Sequence, residues 1–345
     1  VQINLKKRDG QNAFKEVWSF IVDPKDPFVD GSATPAPGPL ITIQDSGPSA
    51  DKVDFLILGD GYTAQERPQF EREARRLAEV LFAKSPYKEH RSDFNVWALC
   101  PAAAQSGVAR PSTGVQVRSP LGAAYDAFGS ERYILTTENR TVRDVASHAP
   151  YDCMEILVNG ETYGGAGIFG LYSTVAARNL YAPYVFIHEF GHHFAGLADE
   201  YYTSDVAYDS SKDRPEPWMP NATADPVNPK WKDLLTAGTA LPTPWNKDAF
   251  EAASHAIQAR RRKLRADNRP EAEMNALFKE EEAGETRLLG QDANSSRVGA
   301  FEGANYEAKG YYRSQEDCIM FTRDDVPFCA ACRAAIERVI RQYSK

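Results

Sequence analysis

Tyr184-Val185-Phe186-Ile187-His188-Glu189-Phe190-Gly191-His192 reads as an apolar helix carrying two imidazoles four residues apart. Such residues differ by about 40° in direction and lie one turn apart, so His188 and His192 can grip one ion. Glu189 lies about 100° round the helix from His188, where its carboxylate reaches a metal-bound water. This spacing suits hydrolysis: a zinc ion lowers the pKa of its water towards about 7 and polarises a carbonyl. Glu189 takes the proton and later returns it to the departing amine. Histidine is otherwise scarce, because three of the six in the chain are His188, His192 and His193.

The segment continues His193-Phe194-Ala195-Gly196-Leu197-Ala198-Asp199-Glu200-Tyr201-Tyr202. Three protein ligands leave one coordination position open for water. Gly196 is a natural helix stop, since it takes the left-handed conformation that turns the chain back towards the ion. It sits about 6 Å beyond His192 along the axis, and three extended residues cover about 10 Å, so Asp199 reaches the metal. Asp199 is the expected third ligand and Glu200 its competitor. His193 points about 100° away from His192 and is expected to pack or hydrogen-bond instead.

Outward from this helix the chain alternates strands and helices. Val53-Asp54-Phe55-Leu56-Ile57-Leu58, Phe94-Asn95-Val96-Trp97-Ala98-Leu99-Cys100 and Cys153-Met154-Glu155-Ile156-Leu157-Val158 read as buried strands. Thr63 with Glu66 forms a capping-box spacing before a helix reaching Ala83, and residues 137–148 read as another. Four glycines within Tyr163-Gly164-Gly165-Ala166-Gly167-Ile168-Phe169-Gly170 suit a strand that another backbone approaches closely, or a flexible turn. The order is that of an α/β layered core. Residues 1–50, with a Gly/Pro-rich stretch at 31–39, read as an N-terminal arm or linker, and residues 51–345 as the main domain. Residues 247–266 and 270–282 read as a charged, solvent-facing helical hairpin inserted at about 245–285, its run Arg260-Arg261-Arg262-Lys263 a solvated face. Residues 328–343 form the last predicted helix.

Forty basic against 48 acidic residues give a net charge of -8, which argues against nucleic acid as a partner. No run approaches the roughly 18 to 20 apolar residues of a membrane span. The opening residues fit a chain that is cytosolic or already trimmed of an export signal. The acidic loop 199–213 is a weak candidate for calcium, because no EF-hand spacing is present.

Leu58-Gly59-Asp60-Gly61-Tyr62-Thr63, Phe94-Asn95-Val96-Trp97-Ala98, Tyr163-Gly164-Gly165, the helix with its continuation through Tyr202, and Asp317-Cys318-Ile319-Met320 together resemble the bacterial immunoglobulin A metallopeptidase family. This is metallopeptidase family sixty-four, a metzincin group. The usual metzincin pattern, HExxHxxGxxH or Asp in the last place, is stretched here by one residue, so that its last place falls on Ala198. The Gly-x-x-Asp interval survives as Gly196 and Asp199. The resemblance implies an α/β, zincin-like metallopeptidase domain, with a mixed twisted sheet, an active-site helix and a helical C-terminal subdomain. It implies one catalytic zinc, a protein or peptide substrate, and a chain that is secreted, periplasmic or on the cell surface. It does not imply immunoglobulin as the substrate. Met320 then matches the methionine turn that packs beneath the metal, and the glycine-rich strand becomes an edge that pairs with extended substrate. Tyr201, Tyr202, Tyr311 and Tyr312 are candidates for holding the oxyanion.

A four-thiolate zinc among Cys318, Cys329 and Cys332, as in archaemetzincins, would want a fourth Cys just after the third catalytic ligand, where this chain has Glu200. A disulfide from Cys318 to Cys329 or Cys332 is therefore expected, and it fits an oxidising compartment. Cys100 and Cys153 are expected to be buried thiols. The function expected is zinc-dependent endopeptidase action. The alternatives are a non-enzymatic adhesion or glycan-binding module that keeps the zinc helix as structure, and a zinc amidase acting on cell-wall peptides.

Overall fold

The computed structural model describes residues 1–345 except 12, 30, 32–34, 205–213, 292 and 345. Two compact units divide the chain, Val1–Ala36 and Pro37–Lys345. The first is an antiparallel hairpin of β1 (Gln2–Arg8) and β2 (Phe14–Ile21). Part of the Gly/Pro-rich stretch that follows, residues 32–34, lies outside the described residues.

The second unit is built on a six-stranded mixed sheet. Its strands are β3 (Ile41–Gln44), β4 (Val53–Asp60), β5 (Phe94–Leu99), β6 (Cys153–Val158), β7 (Gly165–Ile168) and β8 (Tyr172–Ala176), in the spatial order β3-β5-β4-β6-β8-β7. The four inner strands run parallel, and both edge strands are antiparallel to their neighbours. Strand β3 falls within the stretch that the sequence reading assigned to the arm, yet it pairs with β5 through Ile41 and Ala98. A strand of four residues with so little burial carries no strong pattern, and its partner alone fixes it.

Helices cover both faces, because β4 is apolar on both. Phe55 and Ile57 meet a core formed by α1 (Arg67–Phe82), α3 (Ala182–Ala195) and α6 (Ala330–Tyr343), while Leu56 and Leu58 meet α2 (Asn139–Ala146) and the loops near it. The predicted capping box is present, with the Glu66 carboxylate accepting from Thr63 N–H at 2.8 Å. Asp60, at the end of β4, accepts from Leu121 N–H and Ala123 N–H and from the Ser119 hydroxyl, which fastens the long loop over that face.

The glycine-rich stretch is the edge strand β7, and close backbone approach is the reason for its glycines. A Cβ on Gly167 would stand 2.3 Å from the Glu189 carbonyl oxygen and 2.8 Å from His192 Cβ, both on α3. A Cβ on Gly165 would meet Val185 Cγ1 at 2.5 Å. We expect Gly167→Ala to cost about 1–3 kcal/mol of stability by overpacking. Gly284→Ala, in open space within a helix, should instead stabilise by about 0.5–1 kcal/mol. Thermal melts of the two variants check this pair, and equal behaviour would refute close approach.

Helices α4 (Lys247–Ala266) and α5 (Glu271–Leu289) form the expected hairpin, but it does not face solvent along its length. Ser254, Gln258 and Arg261 of α4 and Met274, Phe278, Glu281 and Glu285 of α5 are buried. Ser254, Gln258, Arg261 and Glu281 are tolerated inside because they are partnered, whereas Glu285 Oε2 is buried without a hydrogen bond. Glu281 accepts from Arg323 and from Gln258, and the Arg261 guanidinium lies over the Phe278 ring at 5.7 Å. Within the basic run, Arg260 pairs with Glu280 at the surface as expected, whereas Arg261 is 6% exposed and belongs to the interior. A final antiparallel pair, β9 (Phe301–Ala304) and β10 (Glu307–Arg313), lies outside the main sheet. Among the described residues, no helix is long and apolar enough to cross a membrane.

Candidate active site

Helix α3 starts with Pro183 in its first turn and ends at Gly196, which is left-handed (φ 62°) and donates to the Gly191 and His192 carbonyls. The reversal returns the chain past the two imidazoles. Asp199 Oδ1 stands 2.9 Å from His188 Nε2 and 3.2 Å from His192 Nε2, and the two Nε2 atoms are 3.2 Å apart. His188 and Asp199 are buried, while Glu189 and His192 are half-buried at the cleft. One oxygen of Glu189 lies within 4.8 Å of a nitrogen of each histidine.

Each imidazole is oriented from its far side. His188 Nδ1–H donates to the Ile319 carbonyl at 2.9 Å, with the Tyr184 hydroxyl 3.0 Å away, and His192 Nδ1–H donates to the Leu197 carbonyl at 2.6 Å. Those carbonyl acceptors set the tautomer of each neutral ring, so that when neutral both imidazoles turn their Nε2 lone pairs to the space between them. The third histidine of the cluster does different work. His193 accepts from Met154 N–H at 3.1 Å and donates to the Ile168 carbonyl, joining β6 to β7. Burial pushes its pKa down to about 4, which keeps it neutral.

Met320 is fully buried in the turn where Phe321 N–H donates to the Cys318 carbonyl. A Cβ on Gly191 would lie 3.3 Å from Met320 Sδ, so the thioether packs beneath the helix between the two histidines. Glu200, the competitor for Asp199, turns away from the imidazoles, and its Oε1 lies 3.3 and 3.4 Å from the sulfurs of Cys329 and Cys332.

Of the four tyrosines considered, only Tyr201 lines the cleft, where its hydroxyl accepts from Arg132 at 2.5 Å. Tyr202 packs against Phe250 and Phe321, Tyr311 donates to the Pro215 carbonyl, and Tyr312 lies in a bridge to Thr223. Arg132 and Tyr306 are among the cleft residues that escaped the sequence reading. Tyr306 donates its hydroxyl to Asp199 Oδ2. It sits with Asn305 in the two-residue β9–β10 turn, both at positive φ (66° and 53°). A bulky side chain is rare there, and only Asn305 offered a turn signal in the sequence. The turn is sewn to the returning chain, since Asn305 N–H donates to the Asp199 carbonyl and Tyr306 N–H to that of Tyr201.

A model of the IgA peptidase M64 family matches residues 41–340. The chain belongs to that family. A search of the curated proteins finds no match. M64 membership makes the protein a peptidase, a hydrolase of peptide bonds with protein or peptide as substrate, and the mixed sheet with its flanking helices is its zincin-like domain. The His188, Glu189 and His192 group suits a metal ion in such a domain.

The disulfide expected in this M64 chain is not formed, since all five cysteines are free. Cys318 and Cys332 hold their sulfurs 3.9 Å apart, well beyond the roughly 2.05 Å of a bond. Cys329 sits at the start of α6, where its sulfur accepts from Cys332 N–H and its own N–H donates to Cys318 Sγ. Most of the loop considered for calcium, residues 205–213, lies outside the described residues.

Proposed function

We propose that this M64 peptidase is a zinc-dependent endopeptidase in which His188, His192 and Asp199 hold the ion and Glu189 is the general base. The observation that carries the reading is the donor triangle of two Nε2 atoms and Asp199 Oδ1, with edges of 2.9 to 3.2 Å. A tetrahedral ligand face with bonds of about 2.0 Å has edges of roughly 3.3 Å, so the donors fit zinc in spacing and chemistry. A bound zinc ion supplies Lewis acidity to the scissile carbonyl and acidifies the attacking water.

The rest of the mechanism belongs to the protein. Glu189 faces the cleft beside the triangle, takes the proton of the attacking water and delivers it to the leaving amine. The carbonyls of Ile319 and Leu197 hold the imidazole planes still and raise their basicity as ligands. Strand β7 ends the sheet and lines the cleft with Ala166, Gly167 and Ile168, so an extended chain laid beside it is held through its main chain. That mode suits cleavage within a polypeptide. Export to the periplasm or cell surface stays in this reading on the family resemblance alone, because the disulfide that would have favoured an oxidising compartment is not formed.

The test is a digest of denatured proteome by zinc-loaded protein, read by mass spectrometry of the products. Internal cleavages that vanish on chelation and return with zinc are expected. Trimming from chain ends alone would overturn endopeptidase action, and zinc-loaded protein that cuts nothing would favour a binding module. Tyr306→Phe gives a finer check. Loss of the hydroxyl on Asp199 Oδ2 should weaken zinc affinity by about 10–100-fold, measured against a competing chelator. Unchanged affinity would remove Tyr306 from the site.

A further inference from the structure

We propose that Cys318, Cys329, Cys332 and Glu200 form a second metal site, a closed structural zinc centre separate from the proposed catalytic ion. One ligand atom from each of the four lies within 4.8 Å of all the others. All four residues are at most 1% exposed. The sulfurs of Cys318 and Cys332 are 3.9 Å apart, and Glu200 Oε1 is 3.3 Å from the Cys329 sulfur and 3.4 Å from that of Cys332. A tetrahedral zinc with bonds of about 2.3 Å to sulfur and 2.0 Å to oxygen spaces its ligands by roughly 3.8 Å for two sulfurs and 3.5 Å for sulfur and oxygen. The observed cluster has that size and that donor set.

Three further features are those of a thiolate site. Backbone N–H groups point at the sulfurs: Cys329 and Met320 donate to Cys318 Sγ at 3.2 and 3.4 Å, and Cys332 donates to Cys329 Sγ at 3.4 Å. Such donors suit anionic sulfur. Cys329 is the N-cap of α6, a 14-residue helix whose amino end favours negative charge. Glu200 Oε1 also accepts from Asn221, whereas Glu200 Oε2 is buried without a hydrogen-bond partner. A buried carboxylate oxygen left in that state is costly unless a cation satisfies it. Three thiolates, one carboxylate and a divalent ion sum to a net charge of about -2, which the fully buried Arg313 beside Glu200 offsets in part. With no opening to solvent, the centre is structural.

Its position gives it a task. Glu200 follows Asp199 directly, and its N–H donates to the Met320 carbonyl at 2.8 Å. Cys318 precedes Ile319, whose carbonyl orients His188. An ion at this centre clamps the chain carrying Asp199 to the methionine turn and to α6.

The experiment loads the whole chain, freed of metal, with cobalt(II). Thiolate ligands give cobalt a near-ultraviolet charge-transfer band, which histidine and carboxylate ligands do not, so peptidase activity is not the readout. About two cobalt ions per chain are expected, with that band present. The double variant His188→Ala, His192→Ala should keep the band and about one ion, and Cys332→Ser should lose the band and one ion. Should Cys332→Ser fail to fold, the double variant still decides, because loss of the band there overturns the second site. Two cobalt ions in the parent without a band would overturn it equally. Alkylation of chelated, denatured but unreduced protein should label all five cysteines. Two fewer labels would establish a disulfide and overturn the proposal, whereas five labels with no charge-transfer band would leave only a hydrogen-bonded thiol cluster.

Discussion

Glu189→Ala should lower kcat on a peptide substrate by about 10²–10⁴-fold, the usual contribution of a positioned general acid–base group. Zinc content and thermal midpoint should match the parent. The carboxylate lies within 4.8 Å of a nitrogen of His188 and of His192 and borders the cleft, and among the described residues it joins no hydrogen-bonded network that holds the fold. Glu189→Gln, which keeps the shape and loses the basicity, should be nearly as slow. Turnover and metal content measured together separate the outcomes. A variant with parental turnover removes Glu189 from the mechanism, and one that loses its metal shows Glu189 to be a ligand.

Arg313→Ala should be the most damaging substitution outside the catalytic group, with an expected loss of about 3–5 kcal/mol, as for the removal of one partner from a buried charged network. The guanidinium is fully buried and donates to the carbonyls of Glu316, Gly303 and Glu302. It also lies 3.8 Å from the Phe321 ring centre and 4.4 Å from that of Trp245. Truncation strands those carbonyls and leaves Glu200 without its neighbouring cation. Arg313→Lys should recover little, because an ammonium cannot reproduce the planar fork. Because Arg313 ties β9 and β10 to the methionine turn, zinc affinity should fall along with stability. Urea unfolding with metal titration tests both, and a loss below about 1 kcal/mol would mean that the arginine is dispensable.

What the sequence made legible was local. The strands around Phe55, Val96 and Ile156, the Thr63–Glu66 capping box and the helix stop at Gly196 rest on short patterns that tertiary structure had only to accept. The histidine pair could be read for the same reason, since helix geometry alone sets their spacing. The sequence favours Asp199 over its neighbour Glu200 only by the interval from Gly196, and the fold turns Asp199 to the imidazoles and Glu200 to the cysteines. Tyr306 and Arg132 reach the cleft from distant loops with no periodicity to announce them. The hairpin misled through composition: Glu281, Glu285, Gln258 and Arg261 are polar by type, and their burial depends on partners such as Arg323 and Phe278 elsewhere in the chain. The disulfide expectation erred because cysteine spacing does not encode sulfur direction.

The tyrosine on Asp199 has a bearing on when the enzyme can act. Asp199 and Tyr306 are 107 residues apart, and His188 and Ile319 are separated by 131. A chain still emerging from the ribosome therefore carries His188, Glu189 and His192 long before it carries the groups that aim them. Its reactive parts are aimed only once Tyr306 and Ile319 have been made. The order of the residues along the polypeptide is in this sense a built-in delay.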